Sequence, residues 1–193
     1  MRQRRRVGPE EPDRTDADRG PEADPESVAR TIVLTKLTAR ARSRQELADA
    51  LAGRGVPDEV ATRVLDRFGE VGLVDDAAFA TAWVESRRVS RGLSRRALAL
   101  ELRRKGVDSE IVADSLASID DDREYDAARS LVEKKLRSTR NADPQARWRQ
   151  LVGLLGRRGY PPGLAMRVVA DVLKAEDESS DETRDVGAPS SLA

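Results

Sequence analysis

The sequence contains neither cysteine nor histidine among its 193 residues. The absence of cysteine excludes disulfide bonds and thiolate chemistry, and the absence of histidine removes the commonest general base and metal ligand. A Ser–Lys arrangement or a carboxylate pair stays possible, but no glycine-rich phosphate loop or substrate motif accompanies such residues. We therefore expect a protein that is not an enzyme and that uses neither a cofactor nor a metal.

Long apolar segments and aromatic residues are also scarce. No apolar run is long enough to cross a membrane, and the basic start of the chain is followed by charged residues instead of the apolar stretch of a signal peptide. Aromatic residues make up only 3% of the chain, which gives little support to nucleic-acid binding by base stacking. We expect a cytoplasmic protein without membrane contacts.

The net charge of zero hides an uneven distribution of charged residues. Residues 27–175 hold 28 basic and 21 acidic side chains, a net charge of +7. The two ends, residues 1–26 and the acidic residues 176–193, have few large apolar side chains. Such segments bury too little surface to offset the loss of chain entropy, so we expect two disordered tails around a basic body.

The body repeats one helical pattern three times. The stretches that start at Ser43, Ser94 and Arg147 align with one another, and each holds two leucines four residues apart, which form an apolar stripe on a short helix. Each stretch ends at a glycine that is expected to adopt a left-handed conformation in a Schellman ending, followed by an apolar residue that packs back on the helix. The aligned residues are Leu47, Leu98 and Leu151; Leu51, Leu102 and Leu155; Gly55, Gly106 and Gly159; and Val56, Val107 and Tyr160.

A second and a third helix complete each repeat. Asp75 and Asp120, each with the acidic residues that follow it, are expected to cap the longer helix that precedes the leucine pair; they lack the oxygen-rich spacing of an EF-hand cation site. Phe79, Trp83, Tyr125 and Trp148 are expected to point inward from their helices. The buried positions of the helix after the glycine are expected to be Val60, Val64, Leu65 and Phe68; Ile111, Leu116 and Ile119; and Leu164, Val168, Val169 and Val172.

These patterns predict an all-α fold of three tandem three-helix repeats. The expected bounds are residues 27–72, 73–120 and 121–175. A unit of this size buries too little surface to be stable alone, so the units should stack into an elongated body.

The stretch from Arg87 to Lys105 carries eight basic residues and one acidic residue, a net charge of +7. At 100° per residue, Arg96 and Arg103 lie within 20° of each other on the side opposite the leucine stripe, and Leu100 projects beside them. A run of this kind can be an ordinary solvated helix face. It can also be a basic patch with an apolar contact that binds an acidic protein surface or a phosphate backbone.

Several motifs in the same order resemble the RecX family of recombination regulators. They are LTARARSRQEL at residues 37–47, GLVDDAAFA at 72–80, Gly92, and ELRRKGV at 101–107. The resemblance runs through residues 27–175 and is most specific in 37–107, whereas neither tail takes part in it.

The resemblance implies a regulator that binds the filament of the RecA recombinase in its helical groove. Such proteins mostly inhibit its ATPase, filament growth and strand exchange in DNA repair, recombination and the SOS response, and they act without catalysis. It also implies that single- or double-stranded DNA is a possible ligand, and we expect a monomer. The partner-binding residues expected here are Arg40, Arg42, Arg87, Arg88, Arg91, Arg95, Arg96, Leu100, Arg103, Arg104 and Lys105.

A direct DNA-binding regulator is the alternative. It would use a helix-turn-helix-like pair within one unit and would bind a duplex with strong salt dependence in the absence of RecA.

Overall fold

The structure is a computed structural model that describes residues 24–139 and 142–185, with side chains as far as residue 178. Residues 1–23 of the predicted N-terminal tail and residues 186–193 of the predicted C-terminal tail lie outside the described residues. Within the described ranges the chain forms nine α-helices and no strand, which confirms the all-α prediction.

The helices follow one another with short connections. Arg137–Thr139 adds a single turn of 3₁₀ helix after the seventh helix. The bounds are α1 Pro25–Ala39, α2 Arg44–Ala52, α3 Asp58–Glu70, α4 Asp76–Arg91, α5 Arg95–Arg104, α6 Ser109–Leu116, α7 Asp121–Leu136, α8 Pro144–Arg157 and α9 Pro162–Asp185.

The nine helices form three units of three, and each unit has its own hydrophobic core. Helices α1–α3, α4–α6 and α7–α9 pack on one another within their units. The six aligned leucines are no more than 1% exposed, and burial of each contributes about 2 kcal/mol. All the predicted buried positions lie in these cores, with Val60, Ile111 and Leu164 partly buried at their margins.

The predicted Schellman endings are present in all three units. Gly55, Gly106 and Gly159 have φ angles of 73°, 73° and 85°. The amide of the residue after each glycine donates to the carbonyl oxygen of the leucine five residues earlier, at 3.2 Å in every case. The second helix of each unit therefore ends in the same way, and the chain turns toward the third helix at the same point.

The predicted aspartate caps are also confirmed. The Asp75 carboxylate accepts hydrogen bonds from the amides of Ala77 and Ala78, each at 2.9 Å, and the Asp120 carboxylate accepts one from the Arg123 amide at 2.8 Å. These bonds satisfy amides that have no partner inside the helix.

Helical structure extends into both of the segments that composition marks as tails. Helix α1 begins at Pro25 behind an Asp24 cap, and α9 continues to Asp185, so the last residues of the predicted N-terminal tail and residues 176–185 of the predicted C-terminal tail are helical. Glu176 pairs with Arg147 of α8, and Glu178 lies 3.8 Å from Lys174 one turn earlier. Low apolar content does not end a helix whose acidic residues have good helix propensity and basic partners.

The contacts between units have a repeated form. At the first junction the Ser43 hydroxyl donates to the Lys105 carbonyl at 2.6 Å, and at the second the Ser94 amide donates to the Arg158 carbonyl at 3.0 Å. In both cases the start of helix two in one unit meets the turn that ends helix two of the next unit. In the third unit the aligned residue is Arg147, whose side chain is paired with Glu176.

Candidate functional site

The basic stretch from Arg87 to Lys105 covers the end of α4, the joint and all of α5. Because α5 buries Leu98 and Leu102, its other residues spread around the remaining surface of the helix. The structure therefore divides the predicted partner-binding residues among a polar network at the first junction, the second junction and an open face.

Trp83 is the centre of the network on one side of α5. The guanidinium carbon of Arg87 lies 4.0 Å from the centroid of its ring, and the Lys105 ammonium lies 4.1 Å from it. The indole N–H donates to the Glu101 carboxylate at 2.9 Å. Trp83 packs against the edge of the second core as predicted, but it also holds two of the cations that the sequence assigned to a partner.

Glu101 uses two further charges of the basic stretch. Its carboxylate lies 3.3 Å from Nε of Arg87 and 3.9 Å from a guanidinium nitrogen of Arg91. The single acidic residue of the stretch thus binds cations on the neighbouring helix, which lowers the positive charge available to a partner on this side.

Glu46 joins the first unit to this network. Its carboxylate lies 2.9 Å from both Arg40 and the Lys105 ammonium and 4.0 Å from Arg42, and it accepts the Ser43 amide at 3.3 Å. Three predicted partner-binding residues, from two different units, therefore share one carboxylate. Sequence reasoning missed Glu46; its aligned positions, Ala97 and Gln150, are uncharged, and this difference was the available signal.

The surroundings of Glu46 shift its pKa strongly. Partial burial raises the pKa, but hydrogen bonds from Arg40, Lys105 and Ser43 outweigh burial and lower it from 4.5 to about 2. The Glu46 carboxylate therefore stays ionised well below the pH at which a free glutamate becomes protonated.

We expect this pKa shift to make the free energy of unfolding depend on pH in the acid range. A carboxylate with a lowered pKa contributes stability above about pH 4.5, and this contribution is lost as the pH falls from 4.5 toward 2. Urea unfolding of the natural protein and of Glu46→Gln should differ clearly at pH 7, differ less at pH 3, and converge only as the pH approaches 2. A stability difference that stays constant over this range would contradict the assignment.

Arg95 and Arg88 lie at the second junction. The Arg95 guanidinium donates to the Ile119 carbonyl at 3.1 Å, and the Arg95 amide donates to the Glu124 carboxylate at 2.8 Å. Burial and then the Glu124 charge raise the pKa of Tyr160 to about 12, against the opposing charges of Arg88 and Arg158. The contact with Glu124 ties Arg95 to the third unit, and Arg88 lies close enough to Tyr160 to act on its charge.

The open face of α5 holds the remaining predicted residues. Arg96 and Arg103 line a depression of about 470 Å³, together with Arg95, the aliphatic side chains of α6 and the Glu124 carboxylate, which accepts the Arg95 amide. Neither Arg96 nor Arg103 forms an ion pair with a carboxylate in the described part of the chain. Leu100 is 48% exposed beside them, and Arg104 is exposed on the same helix.

The described residues hold neither a carboxylate metal site nor a membrane-spanning helix. Residues 24–139 and 142–178 contain no group of three or more Asp and Glu side chains that could hold a metal ion. Across the helices that the structure describes, none is both long and apolar enough to span a bilayer.

Family models match this chain in three successive places. The model of the RecX first three-helix domain matches residues 29–68, that of the second domain matches 75–116, and that of the third matches 121–169. Together the three matches cover most of the described structure, one unit each.

Relatives named regulatory protein RecX are similar to this chain over most of their length. A regulatory protein RecX from Streptomyces lividans is 49% identical over 167 residues, which cover 86% of this chain and 89% of the relative. A regulatory protein RecX from Mycobacterium avium (strain 104) is 53% identical over 154 residues, which cover 79% of this chain and 89% of the relative.

Two crystal structures have a similar fold. RecX from Lactobacillus salivarius superposes with a TM-score of 0.68 and 18% identity over 78% of this chain and 98% of that chain. A second structure, of a regulatory protein RecX, gives a TM-score of 0.65 and 21% identity over 77% of this chain and 72% of that chain. At these identities the likeness concerns the fold, which is the three-unit fold described above.

Proposed function

Since this chain belongs to the RecX family, we propose that it binds the RecA recombinase filament on DNA and inhibits its ATPase, growth and strand exchange. A body of three stacked units can contact more than one protomer of a helical filament. Contacts that bridge protomers hold them in one arrangement and so oppose the movements that accompany ATP hydrolysis.

The observation that carries this proposal is the open face of α5. Arg96 and Arg103 have no carboxylate partner in the described chain, and they border a depression with an aliphatic floor that includes Val112 and Leu116. Arginine next to apolar surface is typical of protein interfaces, because the guanidinium group binds carboxylates in pairs and is weakly hydrated. A partner surface that offers a carboxylate beside an aliphatic side chain would satisfy both features.

The alternative use of a helix-turn-helix-like pair has less support. In the second unit the helix that would enter the DNA groove is α6, and its exposed side chains include Glu110 and Asp114. Carboxylates on that helix would be repelled by phosphates, so α6 is poorly suited to read a duplex.

Charge reversal of the open face tests the proposal. We expect Arg96→Glu with Arg103→Glu to raise the concentration that half-inhibits the RecA ATPase on single-stranded DNA by at least about tenfold, which corresponds to about 1.4 kcal/mol. The protein should be titrated at substoichiometric ratios to RecA, and the helical circular-dichroism signal should be unchanged.

Arg54→Glu with Arg63→Glu is the matched control. Both residues are exposed in the first unit, and neither forms an ion pair in the described chain, so the change in net charge is the same at another place. The control should inhibit nearly as well as the natural protein. Equal inhibition by the natural protein and the α5 variant would show that the open face of α5 does not contact RecA.

A further inference from the structure

We propose that the third unit holds a second binding site, which takes the phosphate backbone of a nucleic acid. The site is a depression of about 540 Å³ between α7 and α8, lined by Lys135, Ala146, Arg149, Gln150 and Arg157. It lies one unit away from the α5 face, and it concerns DNA instead of RecA. The inference therefore stands apart from the proposed function.

Uncompensated positive charge is the first evidence for this site. The lining contains three cations, an amide and a methyl group, and it contains no carboxylate. Lys135, Arg149 and Arg157 are all exposed, and none forms an ion pair within the described residues. Other cations of the same unit do have acidic partners: Arg129 is paired with Glu133 at 2.8 Å.

The helix dipole explains only some of these cations. Lys135 lies in the last turn of α7 and Arg157 in the last turn of α8, where positive charge stabilises a helix. Arg149 lies near the middle of α8, where the dipole gives no such benefit. Its presence between the other two is therefore not explained by helix stability.

The shape of α8 would let a phosphate chain come close. At 100° per residue, Arg149, Gly153 and Arg157 share the face of α8 opposite its buried leucines. A Cβ atom placed on Gly153 would lie 3.2 Å from a guanidinium nitrogen of Arg157, so this guanidinium lies over the bare helix backbone. The helix surface has no side chain at Gly153 and carries two guanidinium groups beside it. Phosphate oxygens can approach such a surface closely and accept paired hydrogen bonds from the guanidinium groups.

The lining also decides the class of ligand. The depression beside α5 has an aliphatic floor that a protein side chain can cover, whereas the one in the third unit has a single methyl group, from Ala146. No aromatic side chain lines it, so bases have no stacking platform. The contacts available are to phosphates, and they give binding without sequence preference.

The test measures DNA binding by the full chain without RecA. Anisotropy of a labelled short duplex is followed at several NaCl concentrations for the natural protein and for Lys135→Gln/Arg149→Gln/Arg157→Gln. We expect the variant to bind on the order of tenfold more weakly at low salt, and we expect its plot of log affinity against log salt to be shallower by about 2–3. The three residues are exposed, and thermal unfolding followed by circular dichroism checks that the fold is kept.

Arg54→Gln/Arg63→Gln/Arg67→Gln removes the same charge from the first unit and should keep the natural salt slope. If the third-unit variant keeps the salt slope of the natural protein, the proposal is overturned. An equal loss of DNA affinity in both variants would also overturn it, because it would show that binding depends on the overall charge of the protein and not on this site. If the variant keeps its DNA affinity but binds the RecA filament less well, the site binds an acidic protein surface instead. Because the DNA measurement contains no RecA, its failure leaves the proposed function standing, and the reverse also holds.

Discussion

Replacing Gly106 by alanine is expected to lower the free energy of unfolding by about 3 kcal/mol, against about 1 kcal/mol for the same change at Gly55. Both glycines have a φ angle of 73° and end the second helix of their units, so the backbone strain of an alanine is the same at both. They differ in their surroundings. A Cβ atom at Gly106 would lie 2.3 Å from Cβ of Gln45, whereas no atom lies within 4 Å of one at Gly55.

The cost at Gly106 cannot be relieved by a rotation of the Gln45 side chain. The atom in the way is the first carbon of that side chain, which is fixed by the backbone of α2, so the first and second units have to move apart. Urea unfolding of the two alanine variants measures the difference. Gln45→Gly in the Gly106→Ala background should recover part of the loss. Equal destabilisation at Gly55 and Gly106 would show that the junction is looser than described.

The second large effect is expected at Glu46. Glu46→Ala should cost about 3 kcal/mol, because it leaves Arg40 and the largely buried Lys105 ammonium without their shared carboxylate. Lys105 is 16% exposed and Glu46 is 20% exposed, so little water can replace the lost contact.

Glu70→Ala is the control for Glu46→Ala. Glu70 also pairs with an arginine, at 2.9 Å from Arg67, but the two side chains are 63% and 73% exposed, and such pairs contribute about 0.5 kcal/mol or less. A double-mutant cycle of Glu46 with Lys105 should give a coupling energy of about 1–3 kcal/mol. A coupling energy near zero would mean that the two groups do not interact in solution.

The features that sequence predicted well are those that depend on neighbours in the chain. The glycine endings and the Asp75 cap each need only a few consecutive residues, and the leucine stripes need only one helical turn. Because these signals are local and occur three times, the fold could be predicted without knowledge of any contact between units.

The candidate site was harder to predict, because its charges are paired over long separations. Lys105 and Glu46 are 59 residues apart, and nothing in the local pattern of either one indicates the other. A count of charges therefore treated Arg40, Arg87 and Lys105 as available to a partner, although the fold uses all three. The cations of the third unit were overlooked for the opposite reason: they are dispersed along α7 and α8, and only the packing of the helices brings them together.

Because the same contact recurs at both junctions, the fold can accept a different number of units. Each junction joins the start of one second helix to the end of the next, so an inserted copy of the unit could dock by the same contact without a new kind of surface. Duplication of a unit is therefore a simple route by which a gene for such a protein can lengthen. In the third unit Arg147 stands at the aligned position, lies inside α8 and is paired with Glu176 of the same unit, so a further unit added at the C-terminal end would meet a surface that differs from those at the two junctions.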